Sequence, residues 1–125
     1  MKFTREQAEG RNSFTGYGEG YVEVNHRRHV ASLLVTGDRV VTDWPVAGVA
    51  ALAPAQLEAI AAMGPEIVLL GTGARFAFPD PRVLAPLHAA RIGVEVMDTP
   101  AACRTYNILL AEGRNVVAAL ILDAP

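Results

Sequence analysis

The chain has 125 residues, 51% of them hydrophobic and 19% charged, with 11 Lys and Arg against 13 Asp and Glu. Those proportions exclude a disordered chain and fit one domain, on a prior of about 100–200 residues per domain. The net charge of -2, balanced over the first fifty residues and slightly acidic beyond them, excludes a nucleic-acid or anionic-membrane footprint.

The single cysteine, Cys103, cannot close an internal disulfide, and the charged residues 1–6 lead into no apolar signal segment. Both features favour a reducing compartment, so the expected location is the cytoplasm. The most apolar stretch, 44–57, is interrupted by Pro45 and Pro54. It therefore falls short of the about 18 uninterrupted apolar residues that a spanning helix needs.

Residues 1–19 are polar and carry Gly10, Gly16 and Gly18, which predicts a loosely ordered N-terminal arm before a single α/β domain over 20–125. From Gly20 the apolar period becomes two. Residues 21–25 alternate, 28–35 read as a longer strand, Gly37-Asp38 is a turn, and 39–42 is another short strand. Alternation broken by short turns predicts an antiparallel hairpin or meander. Trp44-Pro45 is expected to pack between the meander and the α/β part of the chain.

Pro54 opens a helix over 55–63 that Gly64-Pro65 ends. Residues 67–70 form a short, continuous apolar run with Gly71 behind it, the pattern of a strand buried on both faces. Asp80-Pro81 begins a second helical segment to about residue 91, and Pro86 predicts a kink or a late start. Residues 93–97 are a strand. Thr99-Pro100 is read as the cap of a third helix from Ala101 to Glu112, closed by Gly113, and 115–122 is the last strand. The order from residue 55 is thus α-β-α-β-α-β, which predicts a mainly parallel sheet. The N-terminal strands must extend that sheet or pack as a small second one.

In open α/β sheets ligands bind beyond the carboxyl ends of the strands. Two segments should meet there: Gly71, Thr72, Gly73 and Arg75 after one strand, and Asp98 and Thr99 after the next. The glycines let a ligand approach the main chain, and the first amides of the third helix favour an anion. The competing reading of Gly71-Thr72-Gly73 is a tight turn that holds nothing. Phe76 stands where a dinucleotide fingerprint needs its third glycine, and no phosphate-loop lysine is present, so no cofactor is expected.

The third helix adds Cys103, Arg104, Thr105, Tyr106 and Asn107. Thr99, Cys103 and Asn107, spaced by four, share a face. A thiol near a helix start is a conceivable nucleophile, but burial as a small hydrophobe is favoured because no histidine is placed beside it. Tyr106 and Leu110 are expected in the core. Arg104 is read as lining the pocket or, preferably, pairing with Asp98 or Glu112. His26, His29 and His88 lack metal-ligand spacing, so no metal is expected.

The run from Gly71-Thr72-Gly73 through residues 93–99 to residues 101–109, with the Trp44 region and the terminal apolar strand, resembles the domain-of-unknown-function family numbered 498. That family includes small bacterial and archaeal proteins and the mitochondrial complex I assembly factor 3, and the resemblance covers roughly residues 20–122. It implies a three-layer α/β domain with a mixed central sheet and an extra hairpin. It also implies a pocket lined by Gly71, Thr72, Gly73, Asp98, Thr99, Arg104, Thr105 and Asn107. The family brings no established enzymatic activity, so the expectation leans towards a non-enzymatic accessory or assembly module that binds a protein partner. The alternative is a pocket for a small anion, catalytic or regulatory, at Gly71–Gly73 and the start of the third helix.

Overall fold

The computed structural model describes residues 11–123. Among the described residues, eight strands form two sheets. The first has β1 (Phe14–Gly18), β2 (Tyr21–Val24) and β3 (Arg27–His29), antiparallel and in that order. The second is built from β4 (Leu33–Val35), β5 (Val40–Val41), β6 (Ile67–Gly71), β7 (Gly93–Met97) and β8 (Val116–Leu120), in the order β5-β4-β8-β6-β7. Its β7-β6-β8 half is parallel, and β4 pairs antiparallel with both β8 and β5. The sheet is therefore mixed, and the N-terminal strands do both things expected of them: β1–β3 make a small second sheet, while β4 and β5 extend the main one.

Three helices cover the main sheet: α1 (Pro54–Ala61), α2 (Ala85–Ala89) and α3 (Thr99–Ala111). A 3-10 turn, Pro81–Leu84, precedes α2, so Pro86 falls at the second helical position, where its missing N–H is unneeded. The helix starts late rather than kinking. Period-2 alternation sorts the strands between two cores. Leu33, Val35, Leu69, Ala118 and Leu120 pack with α3 and the small sheet. Leu34, Val68, Leu70, Val117 and Ala119 pack with Trp44, Val46, α1 and α2. Trp44 thus anchors the face opposite the small sheet.

Three expectations are corrected. Residues 14–18 are not part of a loose arm: they are β1, whose Phe14 is buried edge-on against Tyr106 at 5.1 Å. The earlier part of the arm, 1–10, lies outside the described residues. The single strand expected over 28–35 is two strands in two sheets. The chain passes between them at Ser32, whose buried hydroxyl donates to the Val46 carbonyl and accepts from the Leu122 N–H at 2.9 Å. Lastly, the cap of α3 is Asp98, not Thr99. The Asp98 carboxylate accepts from the Ala101 N–H at 2.8 Å, which starts the helix at Thr99.

Candidate functional site

The carboxyl end of β6 and the start of α3 meet as expected, and one hydroxyl joins them to the carboxyl end of β8, which the sequence did not place there. Thr99, buried at 2% exposure, donates its Oγ1–H to the Ile121 carbonyl at 2.8 Å and accepts from the Gly73 N–H at 2.9 Å. Its own N–H donates to the Gly73 carbonyl at 2.8 Å, and the Ile121 N–H donates to the Gly71 carbonyl at 2.9 Å. The junction needs glycine at 71, because a Cβ there would meet Thr99 Oγ1 at 2.8 Å and Thr99 Cα at 3.0 Å. Gly73 has a φ of +111°, and a Cβ on it would run into the Asp123 carboxylate.

The amides that sequence reasoning assigns to an anion are engaged by the chain itself. The Gly73 N–H is held by Thr99, the Ala74 N–H donates to Asp123 Oδ2 at 3.0 Å, and the Ala101 N–H is held by Asp98. Pro100 has no N–H to give. Asp123 therefore sits as an anion would sit, on the main chain behind a strand end. Thr72 turns inward: its hydroxyl donates to the Arg75 carbonyl at 2.8 Å and accepts from the Ala77 N–H at 3.1 Å, folding the loop over itself. The Arg75 side chain is exposed on that loop.

The α3 residues divide between two tasks. Cys103 is fully buried in the core under the sheet, and burial pushes its thiol up to about 12. Asn107 faces β1, where its side-chain amide accepts from the Phe14 N–H at 2.9 Å and donates to the Phe14 carbonyl at 2.8 Å. Arg104 pairs with neither Asp98 nor Glu112. Its guanidinium donates to the Tyr17 hydroxyl at 2.8 Å and lies over that ring at 5.7 Å. Thr105 is half-buried on α3. Tyr106 is buried as expected and donates its hydroxyl to the Asn12 carbonyl at 2.8 Å.

Above the Thr99 junction lies an open groove of about 860 Å³. Of the expected site residues it brings together only Gly73 and Thr99. Val30 and Pro100 give it apolar walls, Ile121 and Leu122 line it while being buried themselves, and Glu19 and Asp123 place two acidic residues along it. Val30 is 72% exposed, a large apolar side chain with nothing over it. Sequence reasoning missed Val30, Glu19 and Asp123, which come from the β3–β4 passage, the β1–β2 turn and the chain's last described residue. It also missed Phe76 and Phe78, an exposed edge-to-face pair with ring centres 4.7 Å apart on the loop after β6. Two phenylalanines in a proline-ended loop without periodicity were the available signal for that pair.

No helix among the described residues is long and apolar enough to cross a membrane. The chain is 52% identical to the bovine NADH dehydrogenase [ubiquinone] 1 alpha subcomplex assembly factor 3 over 56 residues, which cover 45% of this chain and 30% of that protein. It therefore spans well under half the length of that relative. It is 27% identical over 122 residues to the 13 kDa major membrane protein of Francisella tularensis, covering 97% of this chain and 99% of that one. A crystal structure of a Bordetella parapertussis protein matches with a TM-score of 0.85 and 44% identity, over 91% of this chain and 98% of that chain. The profile of the protein family of unknown function DUF498/DUF598 matches residues 14–121, and the chain belongs to that family.

Proposed function

We propose that this chain is a non-enzymatic accessory module of the cytoplasm that docks a protein partner in the strand-end groove, in the service of assembling a larger complex. One observation carries the reading. The groove offers apolar side chains and carboxylates, while the main-chain donors behind it are engaged by Thr99, Asp98 and Asp123. Such a surface suits an apolar protein segment with a basic residue better than a small anion. The bovine relative's name, an assembly factor, supports the same class of role.

A photo-crosslinking amino acid at position 30 in the native host tests it, with position 58 on the opposite face as the control. A discrete protein adduct from position 30 alone is the expected result, and equal labelling from both positions would remove the reading. The anion alternative has its own assay, a thermal-shift screen with phosphate, sulfate and small carboxylates. A saturable stabilisation lost in both Thr99→Val and Arg104→Ala would replace the docking module with a metabolite pocket.

A further inference from the structure

The two sheets have four edges, and the fold blunts three of them. On β1 the Asn107 side chain occupies both main-chain groups of Phe14. β3 is three residues long and two of them are arginine, while β5 has only two residues. Short, charged or covered strands are the ordinary protections against pairing with another chain.

The fourth edge, β7, has five residues and ends the sheet order among the described residues. The Gly93 N–H donates to the Glu66 carbonyl at 3.0 Å, and the Met97 carbonyl accepts from the Thr72 N–H at 2.9 Å. Gly93, Glu95 and Met97 therefore direct their main-chain groups at β6. The parallel ladder turns the N–H and C=O of Val94 and Val96 the other way, where no partner strand of the described residues lies. Val94 and Val96 are only half-buried against one core and Met97 against the other, so both faces of the sheet stay incomplete at this edge. Parallel strands are normally covered on both faces. Glu95, exposed, is the one charged residue on the strand.

We propose that the β7 edge takes up an extended segment of a protein partner as a sixth strand, with a basic residue of that segment facing Glu95. Outward N–H and C=O groups in strand register are satisfied by another strand, and the half-buried valines select apolar residues at alternate positions of it. A second copy of this chain is a poor occupant: antiparallel pairing about the middle of β7 would set Glu95 against Glu95, and like charges directly opposite destabilise a pair. None of the groove-lining residues belongs to β7, so this surface is separate from the one proposed above.

The test titrates the full-length, isotope-labelled protein with two end-blocked peptides of alternating threonine and valine, one with a central arginine and one with a central glutamate. The arginine peptide should give saturable shifts at the Val94 and Val96 amides and slow their hydrogen exchange. The glutamate peptide should bind about tenfold more weakly or worse, and Glu95→Arg should invert that preference. Val96→Pro removes an outward N–H at a position where an edge strand tolerates proline, and should weaken binding by about tenfold. Absence of saturable shifts up to about 1 mM peptide overturns the proposal. So do β7 shifts indifferent to peptide charge and to Glu95→Arg, or self-association of the protein through β7. Shifts confined to Ile121 and Leu122 also overturn it, while leaving the groove reading in place.

Discussion

Thr99 shows how a single side chain decides what a strand-end turn is for. Its hydroxyl satisfies the Gly73 N–H and the Ile121 carbonyl at once, in a site with almost no water access. Thr99→Val keeps the shape and leaves two buried main-chain groups unpaired. It should lower the unfolding free energy by about 2–4 kcal/mol in urea titrations, and Thr99→Ser by much less. A small loss with valine would mean that water reaches the junction and takes over the bonds. Cys103 gives a pH signature. Burial holds the thiol neutral until about 12, whereas an unfolded thiol ionises near its ordinary value of about 8.5. A group raised on folding contributes its stability below the unfolded value and loses it as pH rises towards the folded one. Wild-type stability should therefore begin to decline above about pH 8.5, and Cys103→Ala should remove that early part of the decline. Tyr106, also raised by burial, acts with the same sign but starts from a higher ordinary value of about 10. The sequence identified Gly73 and Thr99 as residues that matter, but not their roles, whereas Cys103 is the small buried hydrophobe that its reading favoured. A glycine–threonine turn has the same spelling whether it holds a ligand or itself, and the deciding partner, Asp123, stands 49 residues from the amide it accepts from.

At the scale of elements, legibility follows how much of each element's physics is local. The alternation α1-β6-α2-β7-α3-β8 could be read because each segment carries its own stop or start: Pro54, Asp80-Pro81, Pro100, and Gly64 and Gly113 at positive φ. The N-terminal third could not be read in the same way. Its β2–β3 hairpin turns on Asn25 and His26, both left-handed, with φ of 51° and 68°, and neither residue is the glycine that usually marks such a turn. β1 is held from outside: Asn107, 93 residues away, supplies the partners for Phe14 that its own sheet does not. That dependence is testable. Asn107→Ala should destabilise the protein by about 1–3 kcal/mol and release the Phe14 amide to fast hydrogen exchange, with the β6 amides still protected below the global transition. Equal loss of protection in β1 and β6 would show instead that the small sheet never opens separately from the main one.

The whole molecule is organised around a sheet that lies in two cores simultaneously. Consecutive residues of β6 and β8 alternate between them, so Leu69 and Leu70, or Ala118 and Ala119, contribute to opposite layers. Neither layer can lose its packing while the strands keep their register, because a strand that shifts for one face shifts for the other. Three strands with so short a shared register as β1–β3 are marginal alone, and they depend on α3 for their apolar partner, Tyr106, and their polar one, Asn107. The consequence is one cooperative unit. Two reporters lie on opposite faces: Trp44, the only tryptophan, sits in the core with α1 and α2, and Tyr106 sits in the core with α3 and the small sheet. Trp44 fluorescence and the near-ultraviolet tyrosine signal should trace a single denaturation curve with one midpoint, and the calorimetric enthalpy should equal the van't Hoff value. The Asn107→Ala protein should give the same coincidence at a lower midpoint, because loosening β1 lowers the stability of the common sheet instead of freeing one face from the other. A tyrosine transition that precedes the Trp44 transition in the wild-type protein would contradict this. It would mean that α3 and the small sheet can leave β6 and β8 while α1 and α2 hold those strands in place.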